Sequence, residues 1–401
     1  MMTKSTENVN RIEPTRIEGP TEVISDLVAE LAAATTALES KLHPRTAANL
    51  AVLVRIMNTY YSNLIEGHNT RPKEIEKAMV GALESNQERR SLQLEARAHM
   101  RVQAEIDRLH TADVLPDPTS IDFIKKLHRE FYQDAPKELL LIKGVNHEFI
   151  MKPGQWRSMP EHDVSVGRHI PPSSERVDSF MVFFADCFDQ NKLSGKTAKM
   201  IAIAAAHHRF NYIHPFPDGN GRVSRLMSHA MCHKAGIGAN GLWSISRGLA
   251  RGINSRSEYK TMMDLADSPR QGDFDGRGNL SKGALIEFVE WFLKVCLDQV
   301  KFMSYLFELN TLARRLRIYV ERSDVMKHEA IRLLEETLFR GEIERGEVPR
   351  ILGMPERSAR RVFNDVIATG LLGSDTPKGP VSLRFPTETL EYLFPALFPN
   401  T

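Results

Sequence analysis

Apolar positions recur at helical spacing along most of this 401-residue chain. The segments VISDLVAELAAATTALESKL and TAANLAVLVRIMNTYYSNLIEG place hydrophobic side chains three and four residues apart, which is typical of amphipathic helices. The pattern restarts after a turn at 67–69, where Thr70 is the expected N-cap and a proline follows early. The sequence therefore predicts a mainly α fold, with further helices near 86–110, 120–133, 174–190, 196–210 and 283–309.

Two stretches break this helical pattern. Residues 1–20 are polar and contain two prolines, so they are interpreted as a flexible N-terminal arm. Between 141 and 172 glycine and proline interrupt the chain, and a short alternating run around 162–166 predicts a small β-hairpin. The N-terminal helices then occupy 21–110, and a helical core occupies 111–310.

The last ninety residues have the pattern of a separate domain, 311–401. Helices are expected at 324–339, 346–352 and 356–368, with turns at Gly353 and Gly370. The run LLGSDTPKGPVSLRF then predicts a strand, a turn and a second strand. Three helices followed by such a hairpin indicate a winged helix-turn-helix domain.

Composition excludes several classes of partner for the chain as a whole. Lysine and arginine total 53 against 51 acidic residues, a formal charge of +2, so no overall attraction to nucleic acid or a membrane surface is expected. The three cysteines lack metal-ligand spacing and suit a reducing compartment. Without a signal-like or membrane-spanning apolar run, the expectation is a cytoplasmic protein with no membrane partner.

The chemistry is concentrated in the run NYIHPFPDGNGRVSRLM, residues 211–227. An apolar helix ends before His214, and helical spacing resumes near Arg222, so HPFPDGNG is a tight loop that leads into a helix N-terminus. Gly219 and Gly221 allow backbone N–H groups to turn inward, and the helix adds unpaired amides and its positive dipole end. This arrangement predicts a site for the phosphates of a nucleotide.

Charged side chains around this loop extend the predicted site. Arg222 and Arg225 share one helix face and offer planar donors for phosphate oxygens. Asp218 beside phosphate implies a bound Mg²⁺ between them. His214 is the candidate general base because imidazole accepts a proton near neutrality. Phe216 lies between two prolines, and its ring is expected to hold the loop to the core.

HPFPDGNGRVSR resembles the HPFx[D/E]GNGRxxR signature of Fic proteins, which transfer AMP from ATP to protein hydroxyls. HHRFNY, PGQWR, VGRHIPP and SPRQGDFDGRGNLS are also similar to this family, so the resemblance covers roughly 50–310. It implies a Fic-type helical core in which His214 takes the proton of a target Ser, Thr or Tyr that attacks the α-phosphorus. The implied Mg²⁺ ligand is Asp218, and the implied ATP-binding set is Phe216, Gly219, Asn220, Gly221, Arg222 and Arg225, the two arginines holding the β- and γ-phosphates.

A second short run, SNLIEG at 62–67, carries an acid where a helix disfavours it. Ser62 and Glu66 share a face, and Glu66 lies in the last turn, so its charge requires a cationic partner. The run resembles the inhibitory motif [S/T]xxxE[G/N] of class II Fic proteins, completed here by Gly67. The resemblance implies that a helix at about 50–67 places Glu66 against Arg225, with Ser62 bracing it, and blocks the γ-phosphate position.

The resemblance leads to an autoinhibited protein adenylyltransferase whose flap, at Met159–Val166, clamps the target protein by strand addition. Two alternatives stay open: a hydrolase that removes AMP, and a DNA-binding regulator that senses nucleotide through its Fic domain. Residues 311–401 hold 14 lysines and arginines and 13 acidic residues, which is a small surplus for DNA binding. Because Arg357, Arg360 and Arg361 nevertheless cluster on one helix, this domain is interpreted as binding DNA or protein, with a homodimer among the options.

Overall fold

The computed structural model describes residues 7–143 and 148–398. The fold is mainly helical, as the sequence predicts, and no helix within these two ranges is both long and apolar enough to cross a membrane. In chain order the α-helices are Glu22–Ser40, Pro44–Ile65, Pro72–Met79, Gln87–Thr111, Ile121–Tyr132, Lys137–Leu140, Val177–Phe188, Gly195–Ile213, Asn220–Lys234, Ile245–Arg251, Glu258–Ala266, Lys282–Leu306, Leu309–Glu321, Ala330–Arg340, Val348–Leu352, Glu356–Ala368 and Leu390–Leu393. The strands are Leu141–Lys143, Glu148–Ile150, Glu342–Ile343, Leu372–Gly373 and Val381–Leu383.

The chain divides into two compact units whose composition differs from the predicted domains. Unit 1 contains residues 7–33, 58–238 and 244–299, and unit 2 contains 34–57, 239–243 and 300–398. The predicted boundary at residue 311 falls within unit 2. Within it, Thr46 donates a hydrogen bond to the carbonyl of Leu338, and Asn49 donates one to that of Leu383. These long-range contacts explain why residues from the first quarter of the chain belong to unit 2.

The centre of unit 1 is a pair of helices, Gly195–Ile213 and Asn220–Lys234, which pack against each other. In the second of these, hereafter the motif helix, every residue except Gly221 and Lys234 is buried. A helix that is buried on all sides must be surrounded by other elements, and the helices Gln87–Thr111 and Ile121–Tyr132 both contact it. The loop 214–219, hereafter the motif loop, joins the two central helices.

The N-terminal segment is packed where the sequence predicts a flexible arm. Residues 7–20 include a 3₁₀ turn at Val9–Ile12, and the side chain of Ile12 is fully buried. The carbonyl of Pro14 accepts a hydrogen bond of 2.9 Å from the guanidinium of Arg209, which is itself fully buried. A buried arginine requires acceptors, and this segment supplies one. Residues 1–6 lie outside the described ranges.

The small hairpin also lies elsewhere than predicted. Leu141–Lys143 pairs antiparallel with Glu148–Ile150, whereas the predicted segment 159–166 forms a 3₁₀ turn at Pro160–His162 and a single bridge between Val166 and His169. Pro160 lies at the start of the 3₁₀ turn, and the run 162–166 contributes only Val166 to the bridge.

Several helix limits differ from the sequence reading. The helix expected to be capped by Thr70 begins at Pro72, and Arg71 precedes it with its N–H bonded to the carboxylate of Glu74. Two short helices, Ile245–Arg251 and Glu258–Ala266, were not predicted. The first contains glycine, serine and arginine, which hide the helical spacing, and the second has only nine residues. Both follow the motif helix in unit 1.

Unit 2 ends in a small α/β arrangement. Its order is the helix Ala330–Arg340, a strand, the helices Val348–Leu352 and Glu356–Ala368, and two further strands. The three strands form one antiparallel sheet with Val381–Leu383 in the middle. The first helix begins six residues later than predicted, and the strand Glu342–Ile343 was not expected. Gly353 takes the left-handed conformation between the second and third helices, as its predicted turn requires.

Three buried histidines of unit 1 and the half-buried His214 predict that acid destabilises the fold. Burial lowers the pKa of His99 and His207 to about 3 and that of His128 and His214 to about 4. Between an unfolded pKa of about 6.5 and these values the unfolded chain binds more protons, so the free energy of unfolding falls as pH falls. We expect the free energy of unfolding to fall by roughly several kcal/mol between pH 7 and pH 5, and the urea midpoint to fall with it. A midpoint that stays constant or rises over that interval contradicts the prediction.

Candidate active site

The motif loop is held in shape by its own side chains and backbone. His214 ends the preceding helix in the left-handed conformation, and its N–H donates to the carbonyl of Phe210. The side-chain amide of Asn220 bonds both polar groups of Phe216, donating to its carbonyl at 2.8 Å and accepting from its N–H at 2.9 Å. The side chain of Asn220 therefore stabilises the loop, and its contribution to an anion site is that of its backbone.

Phe216 fixes the loop to the core. Its ring is fully buried and stacks on His128, with ring centroids 3.8 Å apart, and Trp156 lies 4.6 Å away. This matches the expectation that the ring anchors the loop. It corrects the assignment of Phe216 to the nucleotide-binding set, because its side chain has no exposed surface to offer a ligand.

Two glycines are required here for different reasons. Gly219 precedes the motif helix with φ of 80°, and a Cβ would lie 2.8 Å from the ring of Tyr132. Gly221 lies within the helix with ordinary torsion angles, but a Cβ there would lie 2.5 Å from Oε1 of Glu66. Gly219 therefore permits the turn, and Gly221 permits a carboxylate to approach the first turn of the motif helix.

The two arginines of the motif helix lie in the protein interior and have separate partners. Nη1 of Arg222 is 3.0 Å from Oε1 of Glu95, and its Nη2 is 3.7 Å from the carboxylate of Asp218. Its buried Nε has no hydrogen-bond partner among the residues that the structure describes. A buried donor without a partner, beside a helix N-terminus, fits a site that receives an anion.

Arg225 contacts Ser62 and Glu66, the two residues predicted to face it from the helix Pro44–Ile65 and its end. Its Nη2 lies 2.6 Å from Oε1 of Glu66, and its Nε donates to Oγ of Ser62 at 2.9 Å. The Glu66 side chain is 28% exposed, whereas that of Arg225 is 1% exposed. Gly67 follows in a left-handed turn, with φ of 84°. The carboxylate of Glu66 thus neutralises the buried Arg225 near the N-terminus of the motif helix, where the helix dipole favours negative charge.

The electrostatics of the pair keep Glu66 ionised. Burial opposes the charged form, but the positive charges of Arg225 and Arg222 outweigh it and lower the pKa of the Glu66 carboxyl below its ordinary value. At neutral pH the first turn of the motif helix therefore faces a full negative charge from the protein itself.

His214 is a neutral imidazole at physiological pH. Burial, with a further contribution from the positive charge of Arg157, lowers its pKa to about 4. Its ring therefore keeps a lone pair that can accept a proton, which is the state that a general base requires.

Asp218 is suited to hold a divalent cation beside phosphate. Tyr132 donates its hydroxyl to Oδ2 of Asp218 at 2.7 Å, and the side chain of Asp218 is 44% exposed. Burial opposes ionisation, but Arg222 and this hydroxyl outweigh it and hold the pKa of Asp218 below its ordinary value. One ionised, accessible carboxylate is the usual protein contribution to a Mg²⁺ that is shared with substrate phosphates, so the donor set fits Mg²⁺.

Sequence reasoning missed four residues that support these groups. Glu95 and Tyr132 bind Arg222 and Asp218, respectively, as described above. The side chain of His128 accepts a hydrogen bond from the N–H of Gly154 and contacts the carbonyl of Asp218 at 3.2 Å. Arg157 lies within the PGQWR segment, the one signal in the sequence that pointed towards any of the four.

Arg157 holds the start of the motif loop from outside. Its Nε donates to the carbonyl of His214 at 2.7 Å, and Nη2 donates to those of Ile213 and Pro172. Its Nη1 donates to the hydroxyl of Ser174, and the whole side chain is 1% exposed. A single buried guanidinium therefore satisfies the orphan carbonyls at the end of the helix and fixes the position of His214.

A helix that ends at a histidine, a closed loop, and a second helix with two arginines near its start form the centre of this candidate site. Residues 118–232 match the model of the Fic/DOC family. The chain contains a Fic domain.

The relatives agree with this assignment. The chain is 30% identical over 122 residues to the protein adenylyltransferase Fic of Nematostella vectensis, which covers 29% of this chain and 24% of that protein. It is 36% identical over 106 residues to the protein of the same name from Aedes aegypti, covering 25% of this chain and 20% of that one. The match thus spans about a quarter of the length of these relatives.

Solved structures share the fold. A Fic family protein from Desulfovibrio desulfuricans is similar over 92% of this chain and 98% of its own, with a TM-score of 0.52 and 17% identity. A Fic domain containing signaling protein from Bacteroides thetaiotaomicron is similar over 69% of this chain and 95% of its own, with a TM-score of 0.51 and 20% identity.

The contacts of Arg157 predict a large loss of stability on its replacement. Arg157→Lys keeps the charge but removes the planar set of donors, so buried carbonyls lose partners, and we expect the free energy of unfolding to fall by about 3 kcal/mol or more. Denaturant unfolding measures this. Arg168→Lys is the matched control. The Arg168 side chain is 95% exposed, and its ion pair with Asp264 is long, at 3.8 Å, so the substitution should change stability by less than about 0.5 kcal/mol. Equal effects of the two substitutions would show that the bonding of Arg157 is unimportant.

Proposed function

We propose that this chain is an autoinhibited protein adenylyltransferase, which transfers AMP from ATP to a Ser, Thr or Tyr hydroxyl of a target protein. The observation that carries the proposal is the complete motif loop and helix, with a neutral His214 at one end and Glu66 on Arg225 at the other. The relatives named protein adenylyltransferase Fic support the same reaction.

ATP binds with its phosphates at the N-terminus of the motif helix. The backbone at Gly219, Asn220 and Gly221 provides the amide donors, and Arg222 and Arg225 provide charge for the β- and γ-phosphates. The unpartnered Nε of Arg222 supports this position for the anion. Asp218 is the residue that holds Mg²⁺, and the cation supplies neutralisation of the phosphate charge when it is bound.

The transfer itself needs one proton acceptor. His214 takes the proton of the target hydroxyl, and the hydroxyl oxygen forms a bond to the α-phosphorus of ATP. The bond from that phosphorus to the oxygen that bridges it to the β-phosphate breaks, and pyrophosphate leaves. Arg157 acts as a positioning residue, since it bonds the carbonyl of His214 and does not reach the reacting atoms.

The flap in this proposal is the segment Met159–Val166, as the sequence predicts. Val166 is exposed and pairs with His169, whose Nε2 lies 2.8 Å from the carbonyl of Tyr212, two residues before His214. An extended target segment that bonds to the exposed backbone here would lie close to the motif loop.

Glu66 restrains the enzyme by occupying the γ-phosphate position. Its ionised carboxylate already binds Arg225 and lies against Gly221, and a phosphate group brought to the same donors meets like charge. Ser62 braces the arginine in this state through its hydroxyl and its carbonyl. ATP then binds only in a pose that is not aligned for attack.

Removal of Glu66 should therefore activate the protein. With labelled ATP and Mg²⁺, we expect Glu66→Gly to label itself or a lysate protein at least about tenfold faster than wild type, since one charge-assisted hydrogen bond of about 1.5–3 kcal/mol is released. Glu66→Gln tests the charge alone and should fall between the two. Adding His214→Ala to Glu66→Gly should abolish labelling while leaving ATP binding intact. If Glu66→Gly labels no faster than wild type, the inhibitory role is wrong.

Removal of AMP is a second candidate function of the same site. It is favoured by the position of Glu66, which is ionised and 28% exposed beside the anion site and so can orient a water molecule towards a bound AMP ester. The labelled products of the Glu66→Gly variant distinguish the two directions. Wild-type protein that strips the label from them is a hydrolase, and wild-type protein that leaves the label in place is not.

The C-terminal elements of unit 2 support the interpretation as a winged helix-turn-helix domain. Arg357, Arg360 and Arg361 are exposed on the helix Glu356–Ala368, which has the place of a recognition helix. Contacts from three arginines to DNA phosphates predict binding that weakens steeply with salt. We expect a mobility shift with duplex DNA at low salt that is lost when all three are changed to Gln. No shift at low salt would assign the domain to protein contacts or dimer formation.

A further inference from the structure

A cluster of three metal-ligand side chains lies at the other end of the motif helix, away from the motif loop. His229 and His233 are one turn apart near the end of Asn220–Lys234, and Asp107 lies near the end of Gln87–Thr111. All three belong to unit 1. The proposed transfer reaction uses none of them.

Their polar atoms converge on one point. Nε2 of His229 is 2.7 Å and Nε2 of His233 is 3.1 Å from the same oxygen, Oδ1 of Asp107. The two nitrogens are 3.2 Å apart. Three candidate ligand atoms therefore form a small triangle with one atom from each side chain.

Hydrogen bonding alone accounts poorly for this triangle. Both imidazoles must direct an Nε2–H at a single oxygen, which brings two hydrogens close together. The two Nε2 atoms, both donors in that arrangement, would also face each other at 3.2 Å. Residues at such spacing on two neighbouring helices are better explained by an ion between them.

We propose that Asp107, His229 and His233 bind a divalent transition-metal ion, with Zn²⁺ as the best match. Two imidazoles and a carboxylate suit zinc, whereas Mg²⁺ and Ca²⁺ prefer oxygen ligands throughout. Tetrahedral coordination with bonds of about 2.0–2.1 Å separates ligand atoms by about 3.3 Å. The three side chains reach that geometry by moving apart by about 0.6 Å at most, since their atoms are now 2.7 to 3.2 Å apart.

The three proposed ligands differ in their exposure to solvent. The side chains of His229 and His233 are 6% and 1% exposed, whereas that of Asp107 is 16% exposed, so the carboxylate is the ligand most accessible to solvent. The ring of His110 lies 4.3 Å from that of His233 and borders the cluster. Water is the simplest fourth ligand in a site with three protein ligands.

The metal would join two helices at a point remote from the chemistry. Gln87–Thr111 also supplies Glu95, which binds Arg222 at the opposite end of the motif helix. A metal at Asp107 and the two histidines therefore fixes the second end of the same helix pair. Because it binds the folded state and not the unfolded chain, it stabilises unit 1.

The test uses the full chain after dialysis against a chelator, with Zn²⁺ and Co²⁺ as the probes. We expect one equivalent of Zn²⁺ by elemental analysis, visible absorption bands of four-coordinate Co²⁺, and a thermal midpoint raised by roughly 5 °C at a hundredfold excess over the dissociation constant. His233→Gln and Asp107→Asn should each weaken Zn²⁺ binding at least about tenfold, because loss of even an outer contact costs about that much.

Controls separate this site from other histidines and from the motif loop. His328→Gln removes an exposed histidine of unit 2, and Asp218→Asn removes the proposed Mg²⁺ ligand; both should retain one equivalent of Zn²⁺. Circular dichroism establishes that each variant is folded. Wild-type protein that takes up no stoichiometric metal, or folded His233→Gln and Asp107→Asn variants that bind Zn²⁺ as tightly as wild type, would overturn the proposal. Neither result depends on whether the chain transfers AMP.

Discussion

The structure of the site depends on the neutralisation of two arginines that are buried at the positive end of one helix. Arg222 and Arg225 share a face of the motif helix, and neither reaches bulk solvent. A buried guanidinium without a counter-charge costs several kcal/mol, so two other helices must deliver carboxylates to this point. Glu95 forms an ion pair with Arg222, and Glu66 forms one with Arg225. The packing of the surrounding helices onto the motif helix is thus tied to charge as much as to apolar contact.

The two carboxylates differ in a way that relates to the proposed restraint. The side chain of Glu95 is 7% exposed and also contacts His68, so it is held in the interior by two partners. Glu66 lies beyond the last residue of its helix, is 28% exposed, and is followed by a left-handed glycine. A residue at a helix end next to such a turn can move away at lower cost than one in the middle of a helix. The counter-charge of Arg225 is therefore the exchangeable one.

The sequence predicted the local parts of this site and missed the parts that depend on distant contacts. The loop, the start of the motif helix and the left-handed turn at Gly219 follow from the neighbouring residues in HPFPDGNGR. Glu95 and Tyr132 are ordinary residues of amphipathic helices, and only the packing of those helices shows that they reach Arg222 and Asp218. The reason for Gly221 was also hidden, because it is the nearby carboxylate of Glu66 and not the backbone that excludes a side chain there. The pair Leu141–Lys143 and Glu148–Ile150 was not predicted, because strands of three residues are too short to show an alternating pattern.

The two hydrogen bonds between Asn220 and Phe216 close the motif loop on itself, and this has a consequence for how the protein can respond to its surroundings. Under the proposed function, a loop that is already closed loses little conformational entropy when phosphates bind to it. Signals that act on such a protein have no disordered segment to assemble at this point. In the proposed function, the carboxylate of Glu66 and a phosphate group compete for the guanidinium of Arg225. Any event that moves Glu66 away from Arg225 therefore favours the phosphate.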